Sequence, residues 1–183
     1  MYFDKAGTEN TEATLQIAKE EALKRKINHI VVASTCGDTG LKMAEMLEGT
    51  GVSLVVVSHN VGFKEPGKGE FDADKARRIA GLGGRVLTAT MVLRNTGTAI
   101  REKQGYSQQD LIANVLRMLG QGMKVCVEIV AMAADAGLIP FADVVAVAGT
   151  SRGADTAVII GADSSNRFFD IKIREILAKP REF

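Results

Sequence analysis

The sequence predicts a single α/β domain of three layers, a mostly parallel sheet with helices on both faces. Three observations lead there. Apolar runs at Ile30-Val31-Val32-Ala33, at 52–57 and at Val144-Val145-Ala146-Val147-Ala148 lack the polar alternation of a half-exposed strand, as strands covered on both faces do. Segments with apolar residues at helical spacing lie between them. Glycine-containing turns join strand to helix, so residues 30–57 read as one right-handed βαβ unit. The composition fits: 183 residues, 46% apolar and 25% charged, are enough for one sizeable core.

The elements follow in order. Residues 10–26 form a helix with Leu15, Ala18, Ala22 and Leu23 on one face and Glu20, Glu21, Lys24 and Arg25 on the other, capped by Asn10 or Thr11. After the strand at 30–33, the turn Ser34-Thr35-Cys36-Gly37-Asp38-Thr39-Gly40 opens a second helix, with Leu41, Ala44 and Leu47 in register, that stops near Gly49 and Gly51. The strand at 52–57 leads into a loop at 59–70 punctuated by Gly62, Pro66, Gly67 and Gly69. A short helix at 72–81 precedes a strand at 85–88. Residues 89–105 carry little pattern, and Asn95-Thr96-Gly97 reads as a turn within a long connection. Ser107 and Asp110 resemble a capping box ahead of a helix marked by Leu111, Ile112, Val115, Leu116 and Leu119. Gly120 and Gly122 interrupt, and an apolar helix continues over 123–136 until Gly137. Strands at 144–148, at 157–160 and at 168–176 complete the chain.

Charge and cysteine usage remove several function classes. The formal net charge is +1, which provides no field for nucleic acid or for an anionic membrane. No apolar stretch is long enough to span a bilayer, and Met1 to Lys5 opens no signal peptide. Cys36 and Cys126 lie far apart without a histidine cluster, which argues against zinc and for two reduced thiols in a cytoplasmic protein.

In open α/β sheets, ligands bind beyond the carboxyl ends of the strands, where loops meet helix N-termini. Two segments have that position. Ser34, Thr35, Cys36, Gly37, Asp38 and Thr39 place hydroxyls, a thiol and a glycine at a helix start. Gly149, Thr150, Ser151, Arg152 and Gly153 place hydroxyls and a guanidinium between glycines. Amides and hydroxyls of this kind converge on anions, and arginine adds a charge-assisted contact. Taken singly, each loop also reads as an ordinary turn capped by Asp38 or Thr39. Neither is a Walker motif, and only Gly37 and Gly40 of a dinucleotide fingerprint are present. His59 and Glu128 are candidate acid–base groups and Cys36 a candidate nucleophile, each with a bland counterpart: a loop hydrogen bonder, a surface pair with Lys124, and a packing thiol. Arg94, Thr96, Thr98 and Arg101 form either an anion clamp or solvated loop polarity.

The helix from Thr11, the strand through Ala33, the turn at 34–39 and the closing segment from Asp143 through Gly153 resemble the carboxy-terminal α/β domain of pyruvate kinase. The resemblance covers residues 10–60 and 143–180. It implies a domain without catalytic centre that binds a phosphorylated effector, with Ser34, Thr35, Gly37 and Thr39 contacting phosphate from one loop and Arg152 and Gly153 from the other. Asp38 stands where that family often has a basic residue, which argues against a sugar bisphosphate. The barrel that transfers phosphate from phosphoenolpyruvate to ADP has no counterpart here. The chain looks like the stand-alone bacterial and archaeal proteins of this fold, for which flavin mononucleotide (FMN) is a candidate occupant. The expected partner is therefore a phosphorylated small molecule. The alternatives are an enzyme acting on such a metabolite, and an assembly subunit that forms a homo-oligomer through the apolar helix at 123–136.

Overall fold

The computed structural model describes residues 1–183. Strands β1 (Tyr2–Lys5), β2 (His29–Ala33), β3 (Ser53–Ser58), β4 (Arg85–Thr88), β5 (Asp143–Ala148), β6 (Thr156–Gly161) and β7 (Lys172–Glu182) form one seven-stranded sheet of order β1-β7-β6-β5-β2-β3-β4. β6 runs antiparallel to both its neighbours, while every other pairing is parallel. The helices are α1 (Thr11–Arg25), α2 (Asp38–Leu47), α3 (Ala73–Gly81), α4 (Asn95–Gln104), α5 (Gln108–Arg117) and α6 (Gln121–Asp135).

Alternate residues of each central strand serve different layers. Ile30, Val32, Val56, Val145 and Val147 pack with α1, α2 and α3, whereas Val31, Val55, Val57, Val144 and Ala146 pack with α6. This period of two, with both sets apolar, is why these strands read as continuous apolar runs. Burying such a side chain fully is worth about 1.5–3 kcal/mol. No helix is long and apolar enough to cross a membrane.

Several expectations change. The stretch at 95–97 is no turn but the first residues of α4, because contacts from α5 hold it: Arg101 pairs with Asp110 at 3.1 Å, and a Cβ on Gly97 would sit 2.7 Å from Gln109 Cβ. Residues 165–170 form a 3₁₀ turn, and the last strand begins only at Lys172, running on to Glu182. β1 lacked any signal in the sequence; its pattern is mostly exposed, and it exists by pairing with β7, Tyr2 opposite Lys179. α6 cannot supply an apolar surface for assembly, since nearly every side chain from Met123 to Ala134 is buried against the sheet. Its apolarity is that of a helix covering a sheet face and covered in turn by α5. Neither Asn10 nor Thr11 caps α1: Asn10 donates to the Lys5 carbonyl, and the Thr11 hydroxyl accepts the Ala154 N–H.

Candidate functional site

The chain leaves β2 toward β3 and β4 on one side, and returns to β5 on the other side of β2. The connections that leave the carboxyl ends of the paired strands β2 and β5 therefore run to opposite sides, which opens the crevice where open α/β sheets hold ligands. Here it is a cleft of about 630 Å³, within the usual range for small-molecule sites.

The turn after β2 lines one wall with Ser34, Thr35, Cys36, Asp38 and Thr39. Gly37 caps α2 at φ +98°, a conformation that favours glycine, and lies behind that wall against Lys75 and Phe71. No side chain caps α2: Asp38 pairs with Lys75 and Thr39 is buried. The backbone N–H groups from Thr35 through Gly40 consequently make no hydrogen bond within the chain. A helix start with bare amides and a positive dipole end attracts anions.

The turn after β5 lines the facing wall with Gly149, Ser151, Arg152 and Gly153. Thr150 lies outside the lining and anchors the turn, its N–H donating to Asp155 Oδ2 at 3.0 Å. Asp155 is itself buried and accepts the Thr156 hydroxyl at 2.7 Å. Ser151 adopts φ +112°, an unusual value for a residue with a Cβ and one that concentrates at functional sites. The N–H groups of Gly149, Ser151, Arg152 and Gly153 are also unused, and Arg152 has no carboxylate partner.

Charge around the cleft is asymmetric. Its carboxylates, Asp38, Glu70 and Glu128, are each paired with a lysine: Lys75, Lys64 and Lys124. Arg152 and Arg94 are not paired with any carboxylate; Arg94 instead lies over the Phe63 ring, 4.6 Å from its centroid. Of the possible clamp at 94–101 only Arg94 lines the cleft. Val57, Phe63, Met91, Ile129 and Met132 make the remaining wall apolar.

His59 lines the cleft with Nδ1 3.0 Å from Glu70 Oε2 and its ring centroid 4.0 Å from that of Phe63, the two rings tilted by 37°. Partial burial works against ionisation of Glu70, yet hydrogen bonds from Lys64 and His59 hold its carboxyl below the usual range. The Cys36 thiol reaches the cleft without a hydrogen bond to any base, and Cys126 is wholly buried, its thiol pushed up by desolvation. Glu128 is not in a surface pair. It and Lys124 are both 4% exposed, because the i,i+4 face they share points at the cleft floor rather than at solvent. Lys124 is the lining residue that sequence reasoning valued only as a partner for Glu128; its signal was a cation inside an apolar helix. No group of three or more His, Cys, Asp or Glu is arranged to hold a metal ion.

No family model matches the chain. Among solved structures that resemble it is a pyruvate kinase from Cryptosporidium parvum, with a TM-score of 0.44 and 13% identity, covering 84% of this chain and 23% of that one. The chain thus spans less than a quarter of that protein's length.

Proposed function

We propose that the protein is a binding protein or regulatory module for a phosphorylated small molecule, with FMN the ligand to test first. One observation carries the reading: the turns after β2 and β5, both with amides unused within the chain, line one cleft together with the unpaired Arg152. A phosphate placed there meets a helix start, a second amide cluster and a guanidinium together. The apolar wall of Val57, Phe63, Met91, Ile129 and Met132 suits an organic body attached to that phosphate. The resemblance of residues 10–60 and 143–180 to the pyruvate kinase carboxy-terminal domain points to the same two turns.

Titration of FMN into the protein, followed by quenching of flavin fluorescence with inorganic phosphate as competitor, tests it. Saturable quenching that phosphate reverses is the expected result. Arg152→Ala should weaken binding roughly ten- to hundredfold, the worth of one charge-assisted hydrogen bond of about 1.5–3 kcal/mol. A protein that binds neither FMN nor other phosphate esters at millimolar concentration overturns the reading.

A further inference from the structure

Lys124 and Glu128 are an expensive way to build α6. Lys124 Nζ donates to Glu128 Oε2 at 2.5 Å, and Glu128 Oε1 accepts the Leu93 N–H at 2.8 Å. Withdrawing both charges from water is costly, and apolar residues of similar volume would hold the helix on the sheet at least as well. Packing does not account for the pair. Its placement does, since both side chains line the cleft among Val125, Ile129 and Met132, next to Met91.

The surroundings bias Lys124 toward its neutral, nucleophilic form. Burial disfavours the ammonium, while Glu128 opposes that effect and the charges of Arg117 and Arg94 add to it. A desolvated lysine near other cations is the usual environment of an imine-forming amine. The start of the helix that carries Lys124 packs against the strand that follows the turn after β5. A Cβ on Gly122 would lie 2.1 Å from Thr156 Oγ1 and 3.0 Å from Asp155 Oδ1, so α6 begins directly against the residue that anchors Thr150.

We propose that Lys124 forms an imine with the carbonyl group of a phosphorylated aldehyde or ketone whose phosphate sits between the two turns. The inference rests on the proposed phosphate site and adds the substrate class. Glu128 takes a proton from the Lys124 ammonium. The free amine attacks the carbonyl carbon, forming the C–N bond as the carbonyl electron pair moves to oxygen, and a proton passes from nitrogen to that oxygen. The carboxylic acid of Glu128 then protonates the hydroxyl, which departs as water. The products are a protonated imine on Lys124 and a regenerated carboxylate, so one carbonyl and one ammonium become one iminium and one water.

Pyridoxal 5′-phosphate, an aromatic aldehyde carrying a phosphate, is the probe. The protein is incubated with it, reduced with borohydride, digested and mapped by mass spectrometry. Lys124 should carry the pyridoxyl group about tenfold or more ahead of exposed lysines such as Lys24 and Lys68, as expected when binding supplies proximity. FMN or inorganic phosphate should suppress that labelling, and pyridoxal without its phosphate should label Lys124 about tenfold less. Lys124→Arg, which keeps a cation beside Glu128, should retain the wild-type circular dichroism and lose the cleft label. Label confined to exposed lysines in wild-type protein overturns the imine; if FMN still binds and Arg152→Ala still weakens it, the phosphate site survives alone. Label on Lys124 that is indifferent to the probe's phosphate, with no FMN binding, overturns the phosphate site instead.

Discussion

The turn after β2 and the turn after β5 face each other with similar residue types but are supported differently. The first ends in a helix, and what stands behind it is movable: a Cβ on Gly37 would meet the Lys75 and Phe71 side chains at 3.0–3.2 Å. The second joins antiparallel strands, and its neighbours are mostly fixed. A Cβ on Gly149 would fall 2.7 Å from the Gly153 carbonyl oxygen, and one on Gly153 would fall 2.3 Å from Thr11 Oγ1 and 3.0 Å from Thr8 Cα. The first turn therefore draws its electrostatics from a helix end and can adjust, whereas the second has a shape imposed by backbone packing and by Asp155.

Gly153→Ala should be the most costly change, at about 3 kcal/mol, because a left-handed backbone and a clash with Thr11 add together. Gly37→Ala, which is also left-handed but bordered by flexible side chains, should cost about 1–2 kcal/mol. Urea unfolding of both variants measures the difference, and equal costs would break the contrast between the turns.

A carboxylate pair gives the next largest effect. Asp155→Ala leaves the Thr150 N–H and the Thr156 hydroxyl without partners in a buried place, a loss of about 2 kcal/mol. Asp38→Ala removes only a largely exposed ion pair with Lys75 and should change stability by less than about 1 kcal/mol. Thermal unfolding of the two variants at neutral pH checks this, and a costly Asp38→Ala would show that the first turn is pinned as firmly as the second.

The smallest effect is on pH dependence. Glu70 holds the segment that lies over the first turn, where the Asp72 N–H reaches the Cys36 carbonyl. Its folded-state carboxyl is below the ordinary 4.5, so its stabilisation is complete above that value and disappears as pH falls through the folded one. Amide exchange in residues 59–71 should quicken over that acid window with an effect under about 1 kcal/mol, while residues 149–153 stay unchanged. Glu70→Gln should abolish the difference between the two regions.

The central strands were legible because double-sided burial demands uninterrupted Val and Ile, a demand that is local. α4 was not, since Asn95, Thr96 and Gly97 favour turns by themselves and are held helical by Gln109 and Asp110. β1 was invisible for a similar reason: its partner, β7, lies at the far end of the chain. In the cleft, Ser34 through Thr39 and Gly149 through Gly153 were legible as hydroxyl- and glycine-bearing ends of strands. Lys124 was not, because a lysine four residues before a glutamate looks the same on a wet face and a dry one. Only the docking of α6 on the sheet, with that face turned to the cleft floor, distinguishes the two.

The order of apolar runs, helical spacings and glycine turns is enough to define alternating strands and helices with ligand-type turns at strand ends. Each of those features depends on residues within a few positions of one another. The strand order β5-β2-β3 was settled only in three dimensions, because backbone hydrogen bonds pair any two strands alike and the choice falls to packing over the whole sheet. That order brings the two distant turns to one cleft and buries an amine beneath it.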